Sequence, residues 1–241
     1  MSTSFLYGTD TLTTEITLSI AAGQTSAVLG EAAIRRINAS HDAVKQIVAE
    51  QKTVYGVNTG FGILANTAIS PEDTATLQYK ILQSHSVGVG DPIPVEVAKI
   101  MLITKVQALA QGFSGVQLST LERIIWHINN DIIPIVPEKG SVGASGDLAP
   151  LSHLFLPLIG LGECFYKGER RPTAAVFAET GMSPITLGPK EGLALINGTQ
   201  FILSFAVKAV QRMHNCLEAA DIIGAMSLEA LTGTKAFIEG R

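Results

Sequence analysis

Gly140-Ser141-Val142-Gly143-Ala144-Ser145-Gly146-Asp147-Leu148-Ala149-Pro150-Leu151-Ser152-His153 is a glycine-rich turn that opens onto an apolar segment. The residues after it, 147–159, are expected to form a short apolar helix. The dipole and the unbonded N–H groups at the start of such a helix favour negative charge, so these residues alone describe an anion-binding turn.

The flanking segments set this turn in a mainly α chain with a few short strands. Upstream, residues 12–20 alternate β-formers (Thr13, Ile16, Leu18, Ile20) with polar residues and predict a short strand or hairpin. Over 25–51 the apolar positions fall at three- and four-residue spacing, which predicts a helix broken near Asn38–His41. Residues 54–66 carry Gly56, Gly60 and Gly62 and have no helical period, so a loop is expected. Ser70-Pro71-Glu72-Asp73 is a helix start, with Ser70 as N-cap, Pro71 at the first helical position and acids in the first turn. That helix should run to about His85, and two more should cover 95–111 and 118–129. Pro134, Pro137 and Gly140 exclude regular helix over 132–140. Downstream, 162–172 reads as a β-hairpin centred on Lys167-Gly168. A long helix apolar on several sides should then run from near Thr199 to about Leu231, as in a bundle. Domains are expected at 1–190 and 191–241, the second being the start of a helical bundle. The ending, Ile238-Glu239-Gly240-Arg241, closes no element and predicts a chain cut short.

Composition excludes several classes. Of 241 residues 46% are hydrophobic and 16% charged, below the usual charged share of about 25%, so disorder is excluded and further buried surface is expected. A net charge of −4 with no basic run argues against a nucleic-acid partner. Cys164 and Cys216 stand far apart, as structural thiols do. The first ten residues lack the pattern of a signal peptide, and the apolar stretch 148–161 is too short for a membrane span. A cytoplasmic protein without a membrane partner is the expectation. The sequons at Asn38 and Asn197 therefore predict no glycan. His41, His127 and His214 have no metal-ligand spacing, so no metal is expected. No dinucleotide or P-loop fingerprint is present.

Four segments carry chemistry together. Residues 140–153 resemble the signature of the aromatic amino-acid lyases and aminomutases. The loop Thr53-Val54-Tyr55-Gly56-Val57-Asn58-Thr59-Gly60-Phe61-Gly62, the segment Gln83-Ser84-His85-Ser86-Val87-Gly88-Val89-Gly90 and the segment Gly192-Leu193-Ala194-Leu195-Ile196-Asn197-Gly198-Thr199-Gln200 are similar to that family's further motifs, in the same order. The resemblance implies that Ala144, Ser145 and Gly146 cyclise unaided into 4-methylidene-imidazole-5-one, so no external cofactor is needed. The Gly146 nitrogen would attack the Ala144 carbonyl in a compressed backbone, where glycine puts no side chain in the way, and Ser145 would lose its hydroxyl as water. Gly143 and Asp147 would form the ring's surroundings. Asp147 stays open between a helix cap and an aid to dehydration.

The resemblance also implies that Tyr55 removes the β-proton of the substrate as general base, with Gly60 and Gly62 letting its loop close as a lid. His85 faces the substrate side chain, and Asn197 donates a hydrogen bond to the ring or the substrate. Ser-His at 84–85 looks like the histidine lyases. It favours histidine over tyrosine and disfavours phenylalanine. The implied reaction is non-oxidative elimination of ammonia from L-histidine to give urocanate, by a homotetramer whose sites draw residues from three subunits. Full-length family members are considerably longer, and their remaining half supplies an arginine for the substrate carboxylate, so this chain alone is expected to be nearly inactive. The alternatives are a tyrosine or phenylalanine lyase, an aminomutase, or an uncyclised scaffold. His153 is expected to be a satisfied core histidine.

Overall fold

The computed structural model describes residues 4–50, 52–59, 71–143, 146–234 and 236. Ala144 and Ser145 lie outside them, as do Gly60, Gly62 and the predicted N-cap Ser70. Residues 1–204 make one compact unit and 205–241 a second.

Strands β1 (Phe5–Tyr7) and β2 (Ala27–Leu29) pair in parallel, Phe5 opposite Ala27 and Tyr7 opposite Leu29. Between them in the chain lies helix α1 (Thr14–Ala21), where a strand was expected. The Thr13 hydroxyl accepts the Ile16 N–H, and Glu15 sits in the first turn, so a cap and an acid start a helix. Thr17 and Ile20 share its buried side. The alternation of β-formers there was coincidental with a helical face.

Helix α2 (Glu31–Ala49) is continuous through the predicted break, and Ala33, Ile37 and Val44 form its buried stripe. The polar residues that suggested a break dock a loop instead: Ser40 Oγ accepts the Gly115 N–H, and His41 Nδ1 lies 3.0 Å from the Gly115 carbonyl.

Helix α3 (Pro71–His85) leads into β3 (Val89–Pro92) and α4 (Val95–Leu109). Helix α4 is buried nearly all round, with Ile100, Met101, Ile103 and Val106 wholly enclosed; burying each such side chain contributes about 1.5–3 kcal/mol. It packs on α1 and on α5 (Leu118–Asn129), which buries Leu121, Ile124 and Ile128 at helical spacing.

Strands β4 (Ile133–Pro134) and β5 (Pro137–Lys139) follow, and β5 pairs antiparallel with β3. Helix α6 (Leu148–Phe155) continues into a 3₁₀ turn, Leu156–Ile159. The predicted hairpin is β6 (Glu163–Tyr166) with β7 (Glu169–Pro172), turning on Lys167 and Gly168, both at positive φ; β4 adds to it as a third strand. Helices α7 (Thr173–Thr180) and α8 (Glu191–Ile196) complete the unit with the first turn of α9 (Gln200–Ala230). Its later part, in the second unit, exposes Val210, Met213, Leu217, Ile222, Ile223 and Met226. By length and composition the stretch Glu191–Ala230 would also pass for a membrane-crossing helix, a test that the central helix of a soluble bundle meets as well. The chain is thus mainly α, with short strands, as the sequence predicts.

Candidate active site

The described flanks of the signature tripeptide are each constrained. Gly143 has φ of 68°, a left-handed conformation that favours glycine. At Gly146 the constraint is space: a side-chain carbon there would lie 3.3 Å from Asn197 Oδ1 and from both N and O of Gly198. The absence of a side chain at 146 lets the 197–198 turn close against the backbone.

Asp147 is wholly buried. Its N–H donates to the Gly198 carbonyl at 2.7 Å. Oδ1 accepts the Ser141 hydroxyl at 2.7 Å, and Oδ2 accepts the N–H groups of Phe201 and Ile202 at 3.0 and 3.2 Å. The carboxylate makes no side-chain cap on α6, which it precedes; it caps α9, where charge and dipole agree. Of the two roles left open for Asp147, the cap is the one its contacts describe.

Asn197 stands between α8 and α9, and α8 is fixed at both ends. At its start the buried Glu191 carboxylate accepts from Gln117 N and Nε2, Thr120 Oγ1 and Gly188 N. At its end Lys105 Nζ donates to the Asn197 carbonyl at 2.8 Å. Lys105 is 2% exposed, and burial pushes its ammonium down to about 7.

His85 closes α3 and is half-buried, with Nδ1 3.0 Å from the Ile81 carbonyl and 3.0 Å from Ser84 Oγ. Facing a carbonyl, Nδ1 is the donor in that contact. The loop after His85 is tied to the signature segment: His153 Nε2 accepts the Gly88 N–H at 3.0 Å, and a side-chain carbon on Gly140 would lie 3.0 Å from Gly88 Cα. His153 is therefore satisfied, as expected, and burial pushes its imidazole below its ordinary value. Tyr55 sits on a separate turn and is 54% exposed. Asn58 organises that turn, accepting the Val54 N–H and donating to the Lys52 carbonyl.

The fold thus sets the Asn197–Gly198 turn beside Gly146 and Asp147, with Gly198 bonded to Asp147, and ties the His85 loop to the same segment. A cavity of about 230 Å³ opens beside Asn197, lined also by Phe113, Ser114, Lys190, Leu193 and Ala194. Two larger cavities, of about 520 and 370 Å³, are lined by residues outside the predicted site. Among the described residues no three His, Cys, Asp or Glu side chains group as a metal site. Sequence reasoning missed Lys105, Ser141 and Gly198. For Lys105 the signal was present: a charge inside Ile100-Met101-Leu102-Ile103-Thr104-Lys105-Val106 is either paired or functional.

A mainly helical fold with a glycine turn clamped between two helix starts defines a class. The chain belongs to the aromatic amino acid lyase family, which it matches over residues 12–241. It is similar to a histidine ammonia-lyase of Caldanaerobacter subterraneus subsp. tengcongensis, 46% identical over 222 residues, covering 92% of this chain and 44% of that protein. Its structure is similar to that of the histidine ammonia-lyase from Trypanosoma cruzi (TM-score 0.90, 38% identity, 98% of this chain and 46% of that one). It also resembles the tyrosine aminomutase from Streptomyces globisporus (TM-score 0.88, 33% identity, 95% and 43%). The chain spans less than half the length of these relatives.

Proposed function

We propose that this chain carries the electrophile-forming part of an enzyme that eliminates ammonia from L-histidine to give urocanate. The observation that carries this reading is the close approach of Asn197 and Gly198 to Gly146 and Asp147, which makes a side chain at 146 a tight fit and suits ring closure through its nitrogen. The segment leads into the start of α6, where a helix dipole favours negative charge. On this reading Ala144, Ser145 and Gly146 close into 4-methylidene-imidazole-5-one with loss of two waters. The ring supplies an electrophilic methylidene carbon beside the substrate amine.

Three of the chain's own side chains take part in this reading. Tyr55 Oη takes the β-proton, His85 Nε2 accepts the N–H of the substrate imidazole, and the Asn197 amide hydrogen-bonds at the ring. Asp147 holds the α9 start in register with the tripeptide. The exposed apolar side chains of α9 between Val210 and Met226 support homo-oligomerisation of the enzyme, which light scattering of the full-length protein checks as a tetramer. Because its relatives are more than twice as long, residues 1–241 alone are proposed to turn over little L-histidine.

The similarity to a tyrosine aminomutase favours one second reading, in which the amine returns to the β-carbon of an aromatic substrate. Product analysis of the full-length protein with L-histidine, L-tyrosine and L-phenylalanine side by side tests both. Urocanate and ammonium from L-histidine, in excess over the other substrates, support the lyase. Equal or faster turnover of tyrosine, or a β-amino acid product, overturns it.

A further inference from the structure

Lys105 lies in the apolar middle of α4 and is 2% exposed. A buried ammonium is strongly disfavoured unless it is hydrogen-bonded. Its bond goes to the Asn197 carbonyl at 2.8 Å, at the point where α8 ends. Asn197 has left helical geometry there (φ −87°, ψ 118°), so its carbonyl takes its donor from outside the helix. The next residue, Gly198, turns its own carbonyl onto the Asp147 N–H at 2.7 Å. The Asn197 amide lies 3.3 Å from where a Gly146 side chain would begin. A single ammonium anchored in the core therefore fixes a two-residue turn that touches both Gly146 and Asp147.

We propose that Lys105 is a positioning residue for the electrophile: its Nζ holds the Asn197–Gly198 turn against Gly146–Asp147 and aims the Asn197 amide. This rests on the reading that residues 144–146 form the ring. A side chain that merely filled the core would be replaceable by methionine, which has similar length and no donor.

The test compares wild type, Lys105→Met and Lys105→Arg in the full-length protein, with circular dichroism as the check on folding. Four quantities are read: the fraction of molecules lighter by two waters, kcat and KM for L-histidine, and the exchange rate of the Asp147 amide. A hydrogen bond of this kind corresponds to about tenfold in an equilibrium or rate. Lys105→Met is expected to lower ring content or kcat by about tenfold, with KM little changed, and to speed Asp147 exchange by a similar factor. Lys105→Arg, which keeps a cationic donor, is expected to recover most of each loss. A folded Lys105→Met with wild-type ring content, kcat and exchange overturns the proposal. Should Lys105→Met not fold, Lys105→Gln, with a shorter neutral donor, carries the same comparison. If wild-type protein itself keeps its full mass, the ring reading fails, and Asp147 exchange alone decides whether Lys105 positions the turn: faster exchange in the variant upholds it and an unchanged rate overturns it.

Discussion

Asp147 Oδ2 accepts the main-chain N–H of Phe201 at 3.0 Å, so the residue after the tripeptide caps a helix far downstream of it. The same oxygen takes the Ile202 N–H, and Ser141 satisfies the other oxygen. Asp147→Ala leaves two helix-start donors and a hydroxyl without their acceptor. A loss of about 2–3 kcal/mol is expected from the cap and the unsatisfied groups together. Asp147→Asn, which keeps one acceptor, should lose about half of that. Urea denaturation of both variants checks the order.

The link between His153 and Gly88 predicts a separate effect on substrate binding. His153→Phe removes the acceptor of the Gly88 N–H, worth about 1 kcal/mol, and loosens the loop that follows His85. The expected outcome is a KM for L-histidine raised by about fivefold, with two waters still missing from the intact mass. Because burial lowers the His153 pKa, the neutral acceptor is present above the ordinary imidazole value and is lost as pH falls through the depressed one. The KM difference between variant and wild type should therefore shrink in acid.

His127 predicts a pH dependence of stability rather than of activity. Nδ1 lies 2.9 Å from the Ile132 carbonyl, Trp126 and Phe177 pack on the ring, and burial, foremost, pushes its pKa down to about 4. The unfolded chain, near the ordinary 6.5, binds more protons between these values. Stability is thus fully present above about pH 6.5 and falls as pH drops toward 4, by up to about 3 kcal/mol. His127→Phe should flatten that slope in denaturation curves taken between those limits; an unchanged slope would count against the assignment.

Much of this was legible in the sequence because local chemistry and tertiary context agree. Helix α5, the Lys167-Gly168 hairpin and the long α9 carry their own periodicity and turn residues. Reading failed where a residue serves a distant partner. Ser40 and His41 look like a break in α2 until Gly115 is seen to dock on them. Thr13 begins a helix within what alternates like a strand. At the site, two of the four motifs named Gly146, Asp147 and Asn197, which the fold sets close together through Gly198. Gly198 supports them through contacts between residues far apart in the chain, which no local pattern encodes, and for Lys105 the charge in an apolar run marks the residue but not its partner.

His85 closes α3 with Nδ1 at the Ile81 carbonyl, and the role proposed for its Nε2 predicts a specificity effect. His85→Leu removes a polar partner for an imidazole and supplies an apolar wall. The ratio of kcat/KM for L-phenylalanine over L-histidine should rise by about tenfold or more. A ratio that does not move would separate His85 from substrate recognition.

The central claim is that Ala144-Ser145-Gly146 becomes the electrophile, and the intact mass of the full-length protein tests it most directly, beside Ser145→Ala. Wild type is predicted to be lighter than its encoded mass by two waters, with the loss mapping to the peptide that contains residues 144–146, while Ser145→Ala, which has no hydroxyl to lose, lacks that modification and releases no ammonia from L-histidine. Wild-type protein at its full encoded mass that still produces urocanate would contradict the account.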